Sequence, residues 1–292
     1  MIDYHKLRNW QFADVEHTYR IEDTIHYALA LGLGHDPTNE QELQFVNDYA
    51  EGQPVALPTM SVVLGFPGSW MADPETGIDF PKILHGEEQI VVHHPLPSAG
   101  TVIAKHRVTR VVDKGPGRGA TITYDKDLYD KESGQHLVTV THTTFARGDG
   151  GFSSTNGLTD PSLPSPAPMP QRAPDQRVEI ATLPQLALMY RLCADRNPLH
   201  STPSVARAAG FERPILHGLC TYGIAGYAVL AQCCGHDPRR LKSLSARFTA
   251  PVLPGDKLTV ELFNEGGAVL FRVRVAARDK TVLDCGRAEI AF

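Results

Sequence analysis

The four residues Ile-Leu-His-Gly occur twice in this chain, at positions 83–86 and again at 215–218. Each copy is followed by a proline-containing stretch that opens a predicted strand, PLPSAG at 95–100 and PVLPG at 251–255. Both halves of the chain also end in about four candidate strands. Self-similarity of this kind predicts a duplicated structural unit.

The two copies differ in one spacing. Gly86 lies nine residues before Pro95, whereas Gly218 lies 33 residues before Pro251, a difference of 24 residues. At ~1.5 Å per residue, a helix of up to ~30 Å fits into the second copy and is absent after the first. We predict that this helix begins just after 217–218, ends near Cys234 and, being apolar on every side, is enclosed by other structure.

A proline-rich break separates the two halves. Prolines at 161, 164, 166, 168, 170 and 174 forbid regular structure and favour an extended spacer. We therefore expect an N-terminal domain at 1–159, a linker at 160–176 and a C-terminal domain at 177–292.

Two-residue alternation of apolar and polar side chains predicts antiparallel strands with one solvated face. In the first half the candidates lie at 88–94, 101–113, 119–129 and 136–146, and in the second half they lie after 241.

Composition excludes several classes of protein. With 28 Lys and Arg against 33 Asp and Glu, the net charge is −5, which does not favour nucleic-acid binding. The uncharged stretch 214–236 contains four glycines, a proline and polar residues, so a buried helix explains it better than a membrane span.

The five cysteines show no zinc spacing, and we expect no metal site at His93, His94, His136 and His142, which we place on strand surfaces. No secretory or peroxisomal signal is visible, so we expect a cytoplasmic protein with reduced thiols.

The segment 193–200 (CADRNPLH) combines a carboxylate, an amide and an imidazole within six residues. An aspartate carboxyl and a histidine imidazole have ordinary pKa values of about 3.9 and 6.5, so Asp195 and His200 are suited to general acid–base catalysis near neutral pH. The backbone N–H of Gly218, at the start of the enclosed helix, is suited to hold a developing oxyanion. The alternative is that Asp-x-Asn-Pro forms only an ordinary turn with a structural histidine nearby.

The sequence resembles the MaoC-like, hydratase 2 family of (3R)-specific enoyl-CoA hydratases. The likeness covers most of the chain and is carried by DRNPLH at 195–200, AGF at 209–211, PILHGLCT at 214–221, LHGE at 84–87, PLP at 95–97, DKG at 113–115 and ARF at 246–248. The resemblance implies an α+β double hot-dog fold, with each half a curved antiparallel sheet around a central helix. It also implies that the N-terminal helix is reduced or lost.

The same resemblance implies the roles of individual residues. Asp195 and His200 match the family's acid–base pair and Gly218 its oxyanion amide. Further matching positions line the acyl-CoA site: His85, Gly86, Lys114, Arg196, Asn197, Pro198, Leu199 and Phe248. One departure is Cys193-Ala194 in place of the family's Ser-Gly, where the added Cβ is expected to crowd the loop.

We therefore expect reversible hydration of trans-2-enoyl-CoA to (3R)-3-hydroxyacyl-CoA, with no metal or organic cofactor beyond the CoA of the substrate. Loss of the first helix suggests a roomy pocket for medium, long or branched acyl chains, and we expect a homodimer without nucleic-acid or membrane partners. The alternatives are a hot-dog acyl-CoA thioesterase, a non-catalytic acyl-thioester-binding subunit and a dehydratase for carrier-protein substrates.

Overall fold

The computed structural model describes residues 1–291 with the exception of 51, 53, 165 and 194. In the described chain, ten strands form one sheet in which every pair of neighbours is antiparallel. The first half contributes β1 (Val15–Tyr19), β2 (Ile83–Val92), β3 (Gly100–Asp113), β4 (Ala120–Asp130) and β5 (His136–Ala146). The second half contributes β6 (Gln176–Ala181), β7 (Leu241–Phe248), β8 (Lys257–Asn264), β9 (Ala268–Val275) and β10 (Lys280–Ile290).

The order of strands repeats between the two halves. It runs β1-β3-β4-β5-β2-β7-β10-β9-β8-β6, so the second half has the order of the first read in the opposite direction. The halves meet where β2 pairs with β7, from the Glu87 and Arg247 pair to the Val91 and Ser243 pair. This arrangement supports the duplication that the Ile-Leu-His-Gly repeat predicts.

The helices are α1 (Tyr4–Arg8), α2 (Ile21–Leu29), α3 (Glu40–Val46), α4 (Leu186–Tyr190), α5 (Pro203–Ala208) and α6 (Gly218–Cys233). The enclosed helix of the second copy is α6, and every residue of α6 from 220 to 230 is buried. Gly226 lets α6 lie close to both halves, because a Cβ at this position would lie 2.7 Å from Thr59 of the first half and 2.9 Å from Leu244 on β7. No helix of the described residues has the combination of length and hydropathy that crossing a bilayer requires.

The first copy has no central helix after Gly86, since the chain continues directly along β2. A 3₁₀ helix at Pro58–Val62, buried at all five positions, instead packs against α6, β2 and β5. The Lys126 ammonium holds the end of this segment by donating to the carbonyls of Ser61, Val62 and Leu64 at 2.9, 3.0 and 2.7 Å. The space left by the lost helix is therefore partly refilled. A cavity of about 140 Å³ remains beside α2, with Tyr27, Met60 and Cys193 in its lining.

Candidate active site

The segment 195–200 is both a capped turn and a convergence of polar groups. A carboxylate oxygen of Asp195 (Oδ1) accepts the Asn197 N–H at 2.9 Å, and the Asn197 side chain accepts the Leu199 N–H at 3.0 Å. These bonds start the short 3₁₀ helix Pro198–His200. The ordinary Asp-x-Asn-Pro turn that was the alternative is therefore present. It uses only Oδ1 of Asp195, so Oδ2 can face His200.

The His200 imidazole is held in one orientation. Its Nδ1 lies 2.9 Å from the carbonyl oxygen of Ile215, so Nδ1 carries a proton and Nε2 presents a lone pair. Nε2 lies 3.8 Å from Oδ2 of Asp195. This separation is too long for a direct hydrogen bond, yet one water about 2.8 Å from both atoms would bridge them at roughly a right angle.

The two side chains differ in exposure. The Asp195 side chain is 48% exposed, whereas the His200 side chain is only 10% exposed. Burial lowers the pKa of His200 below its ordinary value of 6.5, so the imidazole is neutral near pH 7. A neutral imidazole with a free Nε2 lone pair can accept a proton. Because the Asp195 carboxylate beside it is half exposed, a substrate can reach the pair from solvent.

His217 belongs to the repeated motif but was not assigned a role from the sequence. Its ring stacks on that of His200 with 3.7 Å between centroids, and its Nε2 lies 3.1 Å from the backbone carbonyl of Asp195. Burial and the neighbouring His200 lower the pKa of His217 to about 4. A neutral His217 therefore donates to the Asp195 backbone and ties the 195–200 segment to the start of α6.

Gly218 opens α6, where the first intrahelical bond runs from the Cys220 N–H to the His217 carbonyl. The Gly218 N–H precedes that bond and remains available to a ligand. A Cβ at Gly218 would lie 3.0 Å from the ring of Phe248, so glycine permits the close approach of the aromatic side chain. Phe248 also packs against His85, with 4.3 Å between the ring centroids.

A second polar cluster adjoins His85. Nε2 of His85 and Nδ1 of His142 each lie 2.9 Å from Oε2 of Glu88. Although burial raises it, the pKa of Glu88 falls to about 2 because both histidines stabilise the carboxylate. Burial lowers the pKa of His85 to about 4. The placement of His142 on a strand surface is corrected, because its side chain is only 21% exposed and strand pairing sets Glu88 directly opposite it.

The structure does not bring every predicted substrate-binding residue into these contacts. Lys114 is exposed after β3, and Arg196, Asn197 and Pro198 are exposed in the 195–200 segment, while Leu199 is half-buried. Gly86 lies in β2, where it is the extra residue of a bulge. The Ala194 position, where crowding was expected, lies outside the described residues.

Both halves of the chain match known families. Residues 166–284 match the MaoC like domain, and residues 17–148 match the MFE-2 hydratase 2 N-terminal domain. The chain is similar to the protein named enoyl-CoA hydratase ChsH3 of Mycobacterium tuberculosis, with 38% identity over 281 residues and 94% of each chain covered.

Solved structures agree with this assignment. The MaoC-like dehydratase from Phytophthora capsici superimposes with a TM-score of 0.86 at 32% identity, covering 99% of each chain. A 15% identical protein of Mycobacterium tuberculosis, described as having a double hotdog fold, superimposes with a TM-score of 0.58 over 99% of this chain and 98% of that chain. The chain belongs to the MaoC-like, hydratase 2 family of hydro-lyases and has the α+β double hot-dog fold predicted for it.

Proposed function

We propose that this protein catalyses the reversible addition of water to trans-2-enoyl-CoA and yields the (3R)-3-hydroxyacyl-CoA. The observation that carries the proposal is the 3.8 Å separation of Asp195 Oδ2 and His200 Nε2, which suits one shared water. The relative named enoyl-CoA hydratase supports the substrate class, and the family resemblance supports the R configuration.

In the proposed addition step, the water oxygen forms a bond to C3 while His200 Nε2 takes one of the water protons. Oδ2 of Asp195 accepts a hydrogen bond from the same water and stabilises the imidazolium that forms. The π electrons of the double bond move toward the thioester, and negative charge develops on its oxygen. The Gly218 N–H donates to that oxygen.

In the second step, the imidazolium returns its proton to C2 and the thioester carbonyl re-forms. The substrate thus gains one hydroxyl and one hydrogen, and His200 ends in its starting state. Because one site supplies both groups, they add to the same face and give a single enantiomer. The thioester itself acidifies C2, so the proposed steps require no metal or organic cofactor.

The Asp195→Asn variant tests this mechanism. It keeps the side-chain oxygen that caps the turn but removes the charge, so kcat should fall by about 10²- to 10⁴-fold while acyl-CoA binding and folding persist. Asp237→Asn is the matched control, because Asp237 also accepts an N–H two residues ahead, from Arg239 at 3.0 Å, before a proline-initiated turn. Unchanged turnover in Asp195→Asn would overturn the catalytic assignment of Asp195, whereas acyl-CoA binding without any turnover by the wild type would identify a non-catalytic acyl-thioester-binding protein.

Product analysis separates hydration from other thioester chemistry. We expect loss of enoyl absorbance without release of free thiol, and chiral analysis should show the R isomer. Release of free CoA would identify a thioesterase. Faster turnover of carrier-linked enoyl thioesters than of enoyl-CoA would identify a carrier-protein dehydratase.

Three further parts of the proposal concern the acyl chain length of the substrate, the cellular compartment and the oligomeric state. We propose that the substrates carry medium, long or branched acyl chains, and a panel of C4 to C16 and branched enoyl-CoAs would measure the preference. The five free cysteines suit the reducing cytoplasm that we propose. We also propose a homodimer, to be checked by light scattering.

A further inference from the structure

A bulge in β2 brings three potential metal ligands together. Side chains of a regular strand alternate, so positions 85 and 88 would face opposite sides of the sheet. In this sheet, however, His85 pairs with Thr144 and Glu87 pairs with Thr143, which leaves Gly86 as an extra residue. The bulge turns Glu88 to the side of His85, directly opposite His142 on β5.

The three side chains converge on a small volume. One donor atom from each of His85, Glu88 and His142 lies within 4.8 Å of the other two. Both imidazole nitrogens face the same carboxylate oxygen, and the two rings are tilted by 33° rather than parallel. The cluster is therefore anchored on two paired strands rather than on a mobile loop.

The negative charge of Glu88 has little positive charge in direct contact with it. The Glu88 side chain is only 2% exposed, and among the described residues no lysine or arginine forms an ion pair with it. A buried carboxylate favours a compensating cation. The imidazoles are 22% and 21% exposed, so the site is open to solvent on the histidine side.

We propose that His85, Glu88 and His142 bind one divalent transition-metal ion of the zinc type. Two imidazoles and a carboxylate form a ligand set that Zn²⁺ accepts, with water in the fourth position on the exposed side. Binding requires each imidazole to carry its proton on the ring nitrogen that faces away from Glu88. It also requires the donor atoms, now 2.9 Å apart, to separate by about half an ångström for bonds of about 2.0–2.1 Å.

This site is distinct from the hydration chemistry, and the proposal does not depend on that chemistry. Its three donor residues are different from Asp195, His200 and His217, and only His85 packs against Phe248, with 4.3 Å between ring centroids. A bound ion would link β2 to β5 and fix the His85 ring against Phe248.

Equilibrium dialysis of tag-free full-length protein against Zn²⁺ tests the proposal, with Mg²⁺ as the comparison ion. We expect one Zn²⁺ per chain at micromolar concentration and no comparable Mg²⁺ binding. Glu88→Gln and His142→Phe should each weaken Zn²⁺ binding at least tenfold. Circular dichroism would confirm that both variants fold. If a variant does not fold, the number of Zn²⁺ ions bound per wild-type chain still tests the proposal.

Asp195→Asn is the discriminating control, because the donor atoms of Asp195, His200 and His217 also lie within 4.8 Å of one another. This variant should bind Zn²⁺ as the wild type does, and Co²⁺ should give the same visible absorption with both. The proposal is overturned if the wild type binds no stoichiometric Zn²⁺, if binding survives unchanged in Glu88→Gln and His142→Phe, or if only Asp195→Asn loses it.

Discussion

The protonation state of His200 follows from two contacts of one side chain. The Ile215 carbonyl fixes the proton on Nδ1, and burial disfavours a second proton on Nε2. Because a protonated Nε2 cannot accept a proton from water, the acid limb of kcat/KM should have its midpoint below the ordinary histidine value of 6.5. A pH profile of hydration measures this midpoint. A midpoint above 6.5 would mean that attraction to Asp195 outweighs burial and would contradict the lowered pKa of His200.

Gly218 offers a second test at the scale of one residue. In Gly218→Ala the new Cβ would lie 3.0 Å from Phe248, so the ring or the helix start must shift by a few tenths of an ångström. We expect kcat to fall about tenfold or more through misplacement of the oxyanion amide, while α6 persists because alanine favours helix. Steady-state kinetics and circular dichroism separate the two effects.

Phe248→Leu in the Gly218→Ala background provides the control, since a smaller side chain should recover part of the lost kcat. An unchanged kcat in Gly218→Ala alone would contradict the role of this amide.

The pair Asp195 and His200 and the second cluster differ in how far sequence could predict them. Asp195 and His200 lie within six residues, so their meeting requires only a local turn that Asn197 and Pro198 encode. Glu88 and His142 are 54 residues apart, and their contact depends on strand register and on the Gly86 bulge. Alternation along the sequence places His85 and Glu88 on opposite faces and so conceals the cluster.

Among the elements, α6 was the most predictable and the 3₁₀ helix Pro58–Val62 the least. An uncharged, mainly apolar run that begins after His217-Gly218 is sufficient to predict a buried helix at 218–233. The 58–62 segment shows no helical periodicity, and it is held by the distant Lys126 ammonium. For the same reason the sequence argument for a roomy pocket does not include this segment, and the size of the acyl pocket stays a prediction.

The enclosure of α6 predicts an unusual response to substitution. Gly223→Ala would add a Cβ 2.7 Å from Leu31 and 2.9 Å from the Tyr27 hydroxyl, both in the first half of the chain. Although alanine favours helix by about 1 kcal/mol over glycine, crowding should dominate and destabilise the protein by about 1–3 kcal/mol.

Urea unfolding measures the effect of Gly223→Ala, and Gln232→Ala at an exposed position of the same helix should be nearly neutral. A more stable Gly223→Ala variant would show that α6 is less closely packed than described.

At the scale of the whole molecule, buried histidines predict sensitivity to acid. The pKa values of His85 and His217 are both lowered to about 4, so between pH 6.5 and 4 the unfolded chain binds protons at these positions that the folded chain does not. The free energy of unfolding should therefore decrease as pH falls through this range, by up to about 1.4 kcal/mol per pH unit for each histidine.

Urea unfolding at pH 7 and pH 5.5, in the presence of a chelator, measures this dependence. His85→Gln should reduce the slope, because it removes one of the histidines whose pKa is lowered by burial. Stability that is constant or increases on acidification would contradict the buried, neutral state of these imidazoles.

The pairing of β2 with β7 has a consequence for any attempt to divide the protein. If the chain were cut within 160–176, each fragment would expose the edge of the strand, β2 or β7, that forms the five residue pairs between the halves. The second fragment would also expose the part of α6 that Leu31 and Thr59 cover. Neither piece is suited to exist alone. Co-expressed from two genes, they should instead recombine into a working split enzyme, with the shared hydrogen-bonded border as the template for reassembly.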